Sequence, residues 1–284
     1  MPSTTASFAG AFLPDDFGDL LIATASRESV ALQTTTVVAT DRTEFRIPVV
    51  TAEPATGWYT ENEEISPTDP GTDEEVVRPR KVAALTRVSN ELASDSTPEA
   101  SQVVGDSIGR SIATAIDAAL YGDNDGTGVP PKGLGALDDE DLTLVELLAD
   151  WENADPFIEA VFRVAAAGGK LTAFIANPTD AEALAKLKQE DGSNVPLLQP
   201  DVTQAGRRTL SGVPLYVSAA VDEGTIWGYD RARIFTVLNK SPKVETSDQV
   251  YFTSDGVAVR GIARVAFGYP HLATIAKITA VTGS

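Results

Sequence analysis

The sequence predicts an α+β fold with an extended N-terminal arm and a long projecting loop. Three observations lead there. Val104, Ile108, Ile112, Ile116 and Leu120 recur every four residues, the stripe of one long amphipathic helix. After Thr209 the strand-like segments follow one another with no helical pattern between them, which segregates strands from helices. Between Thr51 and Arg80 the chain is too long and too proline-rich for an ordinary turn; structureless loops above about 15 residues are uncommon in compact proteins.

In chain order, residues 1–14 are small and polar with scattered phenylalanines and read as an arm. "DDFGDLLIATASRESVAL", from Asp15, predicts a short helix with Phe17, Leu20 and Leu21 on one side. "TEFRIPVV" is rich in β-branched residues and reads as a strand that Pro48 limits to an edge. Phe45–Val50 before the long stretch and Lys81–Ser89 after it predict a two-stranded projecting loop. A lone hairpin is marginal in water, so this loop calls for support from another surface, such as another subunit. Ser96 and Glu99 fit a capping box, and Pro98 suits a first helical turn. The helix that follows is about 24 residues and roughly 36 Å long, with Val103, Ala115 and Ala119 widening its apolar face. It stops in "LYGDNDGTGVPPKGL" (Leu120–Leu134). Helical patterns follow at Thr143–Ala149 and Pro156–Ala167. "LTAFIANP" reads as a buried strand running into the helix "TDAEALAKLKQ", with Thr179 as its cap. "TLSGVPLYVSAAV" is a strand broken at Gly212-Val213-Pro214; "GTIWGYD" and "RIFTVLNK" are two more. A hairpin with a long second arm and the final strand "ATIAKITAV" complete the chain.

Composition narrows the chemistry. The 284 residues carry 41 acidic and 22 basic side chains, a net charge of −19. A surface that negative repels nucleic-acid phosphates. Eight acidic and no basic residues lie between Glu53 and Glu75, and nine and none between Asp138 and Glu159; such runs are ordinarily solvated faces. There is no cysteine and one histidine, His271, so thiolate chemistry and the common triads and zinc sites lack raw material. No apolar run is long enough for a transmembrane helix, and the N-terminus has no basic signal-peptide region. In the Leu120–Leu134 stretch, Asp123, Asp125, Thr127 and Gly128 imitate the start of a calcium loop, but its twelfth position is Leu134 instead of a bidentate Glu. The glycine spacing also fails the phosphate-loop pattern. A helix stop followed by tight turns explains it better. No cofactor and no catalytic or metal site is expected.

Seven blocks carry a resemblance in combination and in order. They are "FLPDDFGDLL", "GWYTENEEISPTDP", "KVAALTRVSNELASDS", "IDAALYGDNDGTGVPPKGL", "TAFIANPTDAEALAKLKQEDGSNVPL", "LSGVPLYVSAAV" and "VAVRGIARVAFGYPHLATIAKI". Together they resemble the major capsid proteins of tailed phages, with the Hong Kong 97-type fold. The resemblance implies an N-terminal arm (1–40), an extended β-hairpin loop (41–90), a peripheral domain with the long spine helix (91–130 and 238–268) and an axial domain (131–237 and 269–284). It implies a non-enzymatic virion protein, assembled in the host cytoplasm into pentamers and hexamers. These would form an icosahedral head enclosing double-stranded DNA without sequence-specific binding, and without a membrane. Expected partners are other copies of the chain, a portal protein, a separate scaffold protein (Met1 lies close to the arm motif) and a decoration protein. Contact candidates between subunits are Trp58, Tyr59, Arg78, Arg80, Lys81, Arg87, Tyr251 and Phe252. Some relatives weld their shells through a loop lysine and a neighbour's asparagine; here no lysine precedes Lys81, and Gln249 is the only amide in "TSDQVYFTSDG", so no such weld is expected. An encapsulin-like nanocompartment shell and a carboxylate-based hydrolase are the alternatives.

Overall fold

The structure is a computed structural model that describes residues 23–52, 54–62, 64, 69, 71–89, 98–147, 150–188, 195–200, 208–239, 243–251 and 255–280. Its spine is α2 (Pro98–Tyr121), preceded by the one-turn helix α1 (Val30–Thr34). Ile108, Ile112, Ile116 and Leu120 are buried as their spacing predicts. The widening of that face differs from expectation. Val103 is 64% exposed, Ala115 is exposed and Ala119 is half-buried, whereas Ala113, Asp117 and Tyr121 point inward. Counting from Ile116, the i−3 and i+1 positions turn toward the core here, because a second layer, α1, covers that flank.

Asp117 explains the arrangement. Its carboxylate accepts from the Ser29 hydroxyl (2.5 Å), Val30 N–H (3.0 Å) and Ala31 N–H (2.9 Å). The two amides are orphan donors of the first turn of α1, and Ser29 is its N-cap. Burial pushes the Asp117 carboxyl upward, and the three donors pull it partly back. Helical residues 23–28 are tied on beside it: the Thr24 hydroxyl donates to Asp106 at 2.8 Å. Phe17, Leu20, Leu21 and the proposed cap Ser96 lie outside the described residues.

A five-stranded sheet packs on the spine. It holds β1 (Thr36–Thr40), β4 (Arg80–Ser89), β11 (Phe235–Asn239), β12 (Lys243–Tyr251) and β13 (Gly256–Gly268). The hairpin β12/β13 is as expected. β1 has no counterpart in the sequence reading; "TVVAT" is short, yet it pairs in parallel with β11 from Thr36↔Phe235 to Thr40↔Asn239. The larger departure concerns the loop. Lys81–Ser89 does not pair with Phe45–Val50. β4 pairs antiparallel with β13 throughout, from Arg80↔Val265 to Ser89↔Gly256. The return strand of the loop is β3 (Gly71–Val77), which pairs with β2 (Phe45–Ala52) from Phe45↔Val77 to Ala52↔Gly71. Pro79 lies between β3 and β4 and has no N–H to give a ladder, so the chain changes sheet there.

The seven-stranded sheet runs β5-β14-β10-β6-β9-β8-β7, ending at the two-residue β7 (Gln199–Pro200). β5 (Thr143–Glu146) occupies a segment expected to be helical; "TLVE" is too short to fill a helix and pairs in parallel with β14 (Ile275–Thr279). β6 (Ala173–Ala176) is wholly buried, as its apolar run implies. Its alternate residues face two cores. Ala173 and Ile175, with Trp227 and Tyr229 of β10 (Thr225–Tyr229), join the spine helix. Phe174 and Ala176 join a second cluster under α3 (Asp155–Ala166), where the Phe157 ring meets Phe174 edge-on at 5.5 Å. α4 (Pro178–Lys186) is capped by Asn177, whose side chain accepts from Thr179 N–H at 3.0 Å; Thr179 is inside the helix instead of capping it. The expected break in "TLSGVPLYV" sits one residue earlier, at the Ser211-Gly212 turn between β8 (Arg208–Leu210) and β9 (Val213–Val217).

The Leu120–Leu134 stretch is architecture, and glycine is the reason. A Cβ on Gly133 would lie 2.1 Å from the Gly122 carbonyl oxygen and 2.8 Å from that of Ala119. The chain thus folds back on the helix terminus at backbone contact. Gly126, at φ +75°, adopts the left-handed region. Asp125 accepts from Thr127 N–H (2.9 Å) and Thr127 Oγ1 (2.7 Å), a local turn. Among the described residues no group of three or more His, Cys, Asp or Glu could hold a metal ion.

Candidate assembly surfaces

The two-stranded ribbon β2–β3 leaves the body at a defined root. Ile47 and Val77 are buried there with Val237 and Ala266, flanked by Phe45 and Phe235. Gly268 makes the fit possible, since a Cβ would lie 2.2 Å from the Ile47 Cδ1. Glu75 adds a polar tie: both carboxylate oxygens accept from Tyr269 N–H, at 3.0 and 2.8 Å. Burial pushes the Glu75 carboxyl upward; the Tyr269 N–H and the nearby Lys132 charge act in the opposite direction. Tyr269 then donates its hydroxyl to the Lys132 carbonyl at 2.9 Å. The ribbon root, the β13 end and the glycine-rich stretch are thereby fixed to one another. Beside them opens a cleft of about 470 Å³, lined by Val77, Pro131, Phe267 and Tyr269 and rimmed by Arg78, Arg80 and Lys132.

Farther out, the ribbon has little to hold it. Its two exposed ion pairs among the described residues lie near the root, Arg46–Glu74 (2.7 Å) across the strands and Arg78–Glu44 (2.8 Å) just before them; exposed pairs contribute only about 0–1 kcal/mol each. At the tip, Trp58 is fully exposed (103%) and Tyr59 is 42% exposed. Both aromatic candidates thus lie on an open surface.

The cationic candidates divide. Arg78 is engaged with Glu44, and Arg87 lies over the Tyr251 ring at 5.2 Å. Those two candidates thus touch within one chain. Arg80 and Lys81 have no ion-pair partner among the described residues. Phe252 lies outside the described residues. Lys81 and Arg87 belong to a larger feature that the sequence hides. On β4 the even residues Val82, Ala84 and Val88 pack inward, so the odd residues Lys81, Leu85 and Arg87 face out. Across the ladder, Arg264 stands opposite Lys81 and Arg260 opposite Leu85. Arg260 pairs with Glu245 of β12. A strongly acidic protein thus gathers four exposed cations on one sheet face.

His271 sits at a one-turn connection, where its carbonyl accepts from Thr274 N–H (3.1 Å) and Oγ1 (2.7 Å). Partial burial and the Arg233 charge push its imidazole down, consistent with a neutral structural residue. The residues that fix the ribbon root, Ile47, Glu75 and Gly268, were missed from sequence. Glu75 is one of eight acids in its run, and Ile47 is one apolar residue in an ordinary strand; only the tertiary fold distinguishes them.

A family model described as the phage capsid family matches residues 9–280. The chain belongs to the phage capsid family. Solved capsid structures share its fold. The capsid of the native GTA particle has a TM-score of 0.66 at 22% identity, covering 91% of each chain. Mycobacterium phage Adephagia gives 0.69 at 18%, covering 90% of this chain and 91% of that one. The virus-like particle from Pyrococcus furiosus gives 0.62 at 12%, covering 93% and 98%. A search of curated proteins returned no match. The fold is Hong Kong 97-type, and the protein is a structural capsid shell protein of the virion.

Proposed function

We propose that this chain is the major capsid protein of a tailed-phage head, forming pentamers and hexamers that close an icosahedral shell around double-stranded DNA. One observation carries the reading beyond family membership: a ribbon fixed firmly at its root presents a fully exposed Trp58 at its far end. Ordering such an element costs conformational entropy, which contacts with neighbours would offset. Heterologous contacts of this kind close into rings when the rotation allows. In this reading, residues 1–40 act as arm, 41–90 as extended loop, 91–130 with 238–268 as peripheral domain, and 131–237 with 269–284 as axial domain. The net charge of −19 suits a container whose wall does not grip packaged DNA. Assembly in the host cytoplasm, with a scaffold protein, a portal protein and a decoration protein as partners, belongs to the same proposal. Electron microscopy of the purified chain, with and without its neighbouring gene products, tests it. Rings or shells are expected; a compact monomer under every condition refutes it. A nanocompartment shell is the second reading, favoured by the fold shared with the Pyrococcus furiosus particle. Packaged nucleic acid against packaged protein in purified particles separates the two.

A further inference from the structure

We propose that Trp58 at the ribbon tip of one copy seats in the root cleft of a second copy. The proposal rests on the shell reading above and adds the identity of the two contacting surfaces. The observations are independent of one another. Trp58 is fully exposed, so no described residue of its own chain covers it. The β2–β3 ladder runs seven steps from Phe45↔Val77 to Ala52↔Gly71, about 23 Å at 3.3 Å per residue. The tip therefore stands well away from its own root, and only another molecule's tip reaches a root cleft.

The cleft suits an indole on an acidic loop. Its volume of about 470 Å³ has room for an indole, and Val77, Pro131, Phe267 and Tyr269 supply the apolar part of a lining that is otherwise polar. Its rim carries Arg80 and Lys132, neither in an ion pair among the described residues. Its two carboxylates are already occupied: Glu75 accepts from Tyr269 N–H and Asp125 from Thr127. The incoming tip, between β2 and β3, carries five acidic residues (Glu53, Glu61, Glu63, Glu64 and Asp69) and no basic ones. An aromatic anchor in a pocket, with opposite charges around it, is the usual anatomy of an energetic centre in an interface. Tip and cleft are different surfaces, so the contact is head-to-tail and propagates around a ring.

The cysteine-free sequence gives a clean test. Gly57→Cys is combined with Lys132→Cys, particles are assembled, and a short bis-maleimide is added. Covalently linked chains on a denaturing gel are expected from the double variant and from neither single variant. Gly57→Cys with Phe162→Cys, an exposed position on α3 (70%), should give no product. Tryptophan emission is the second readout. Trp151 and Trp227 are already buried (7% and 2%), so a blue shift on assembly reports Trp58 and should vanish in Trp58→Phe. Particles that form normally but show neither the Gly57/Lys132 product nor the shift overturn the proposal while leaving the shell reading intact. A chain that never assembles overturns both.

Discussion

Replacing Asp117 by Ala probes the junction between α1 and the spine helix. The carboxylate is the acceptor for Val30 N–H, Ala31 N–H and the Ser29 hydroxyl, and the substitution strands all three inside the protein. Ser29 keeps its own role, since its Oγ accepts from Leu32 N–H at 3.2 Å, so the two amides dominate. A buried donor left without a partner costs about 1–3 kcal/mol, or about 2–6 kcal/mol for the pair. Removing a carboxylate whose ionised form burial disfavours offsets part of this, leaving about 2–4 kcal/mol. In a chain this long, each kcal/mol moves Tm by roughly 2 °C, so Asp117→Ala should melt about 4–8 °C lower at neutral pH. The folded-state pKa is raised, so the Asp117 contribution is fully present below the unfolded value of 3.8 and is lost as pH rises through the folded pKa. The gap between wild type and variant should therefore be wider near about pH 4 than at pH 7. Calorimetry at both pH values measures it. A variant melting within about 1 °C of wild type at both would refute the reasoning.

Gly133→Ala forces a Cβ to 2.1 Å from a backbone carbonyl; the cost should reach about 3 kcal/mol or more, read by urea unfolding, and a neutral result would show that the connector yields. Glu75→Ala should loosen the ribbon root and speed hydrogen exchange at Tyr269 N–H, while Glu75→Gln retains an acceptor and should exchange more slowly than the Ala variant. Because burial raises the Glu75 pKa above 4.5, its stabilising contribution relative to Gln falls as pH climbs from about 4.5 through the folded pKa; a flat pH profile counts against this. Trp58→Ala should cut shell yield and leave the subunit soluble, and normal shells at normal yield would dismiss the aromatic anchor. Boiled particles should run as a single band near 30 kDa, since the ribbon has no lysine before Lys81 and Lys81 lies on the body sheet opposite Arg264; a covalent ladder would contradict this.

Periodic burial was legible in the sequence. The spine helix shows because four turns repeat one apolar stripe, and β6 shows because four consecutive apolar residues lie between two cores. Partner choice was not legible. β3, "GTDEEVV", is acidic and weakly β-prone, yet it is the return strand; β4 alternates cleanly, yet its alternation records burial on the body. Alternation reports that one face of a strand is covered and says nothing of which strand lies beside it. Short parallel strands such as β1 and β5 suffer doubly, because each is held by a partner distant in sequence.

Surface chemistry divides along the same line. Trp58 was found because an aromatic pair inside an acidic run stands out locally. The cationic face was not found as a unit, because Lys81 and Arg87 come from one strand and Arg260 and Arg264 from another, joined only by the β4–β13 register. That register has a consequence. A one-residue slip of β4 would turn Lys81, Leu85 and Arg87 inward and Val82, Ala84 and Val88 outward. The apolar contacts with the spine helix therefore hold the cations in place, although no ion pair among the described residues fixes Lys81 or Arg264. The core of one subunit thus determines the charge pattern that it offers to the next.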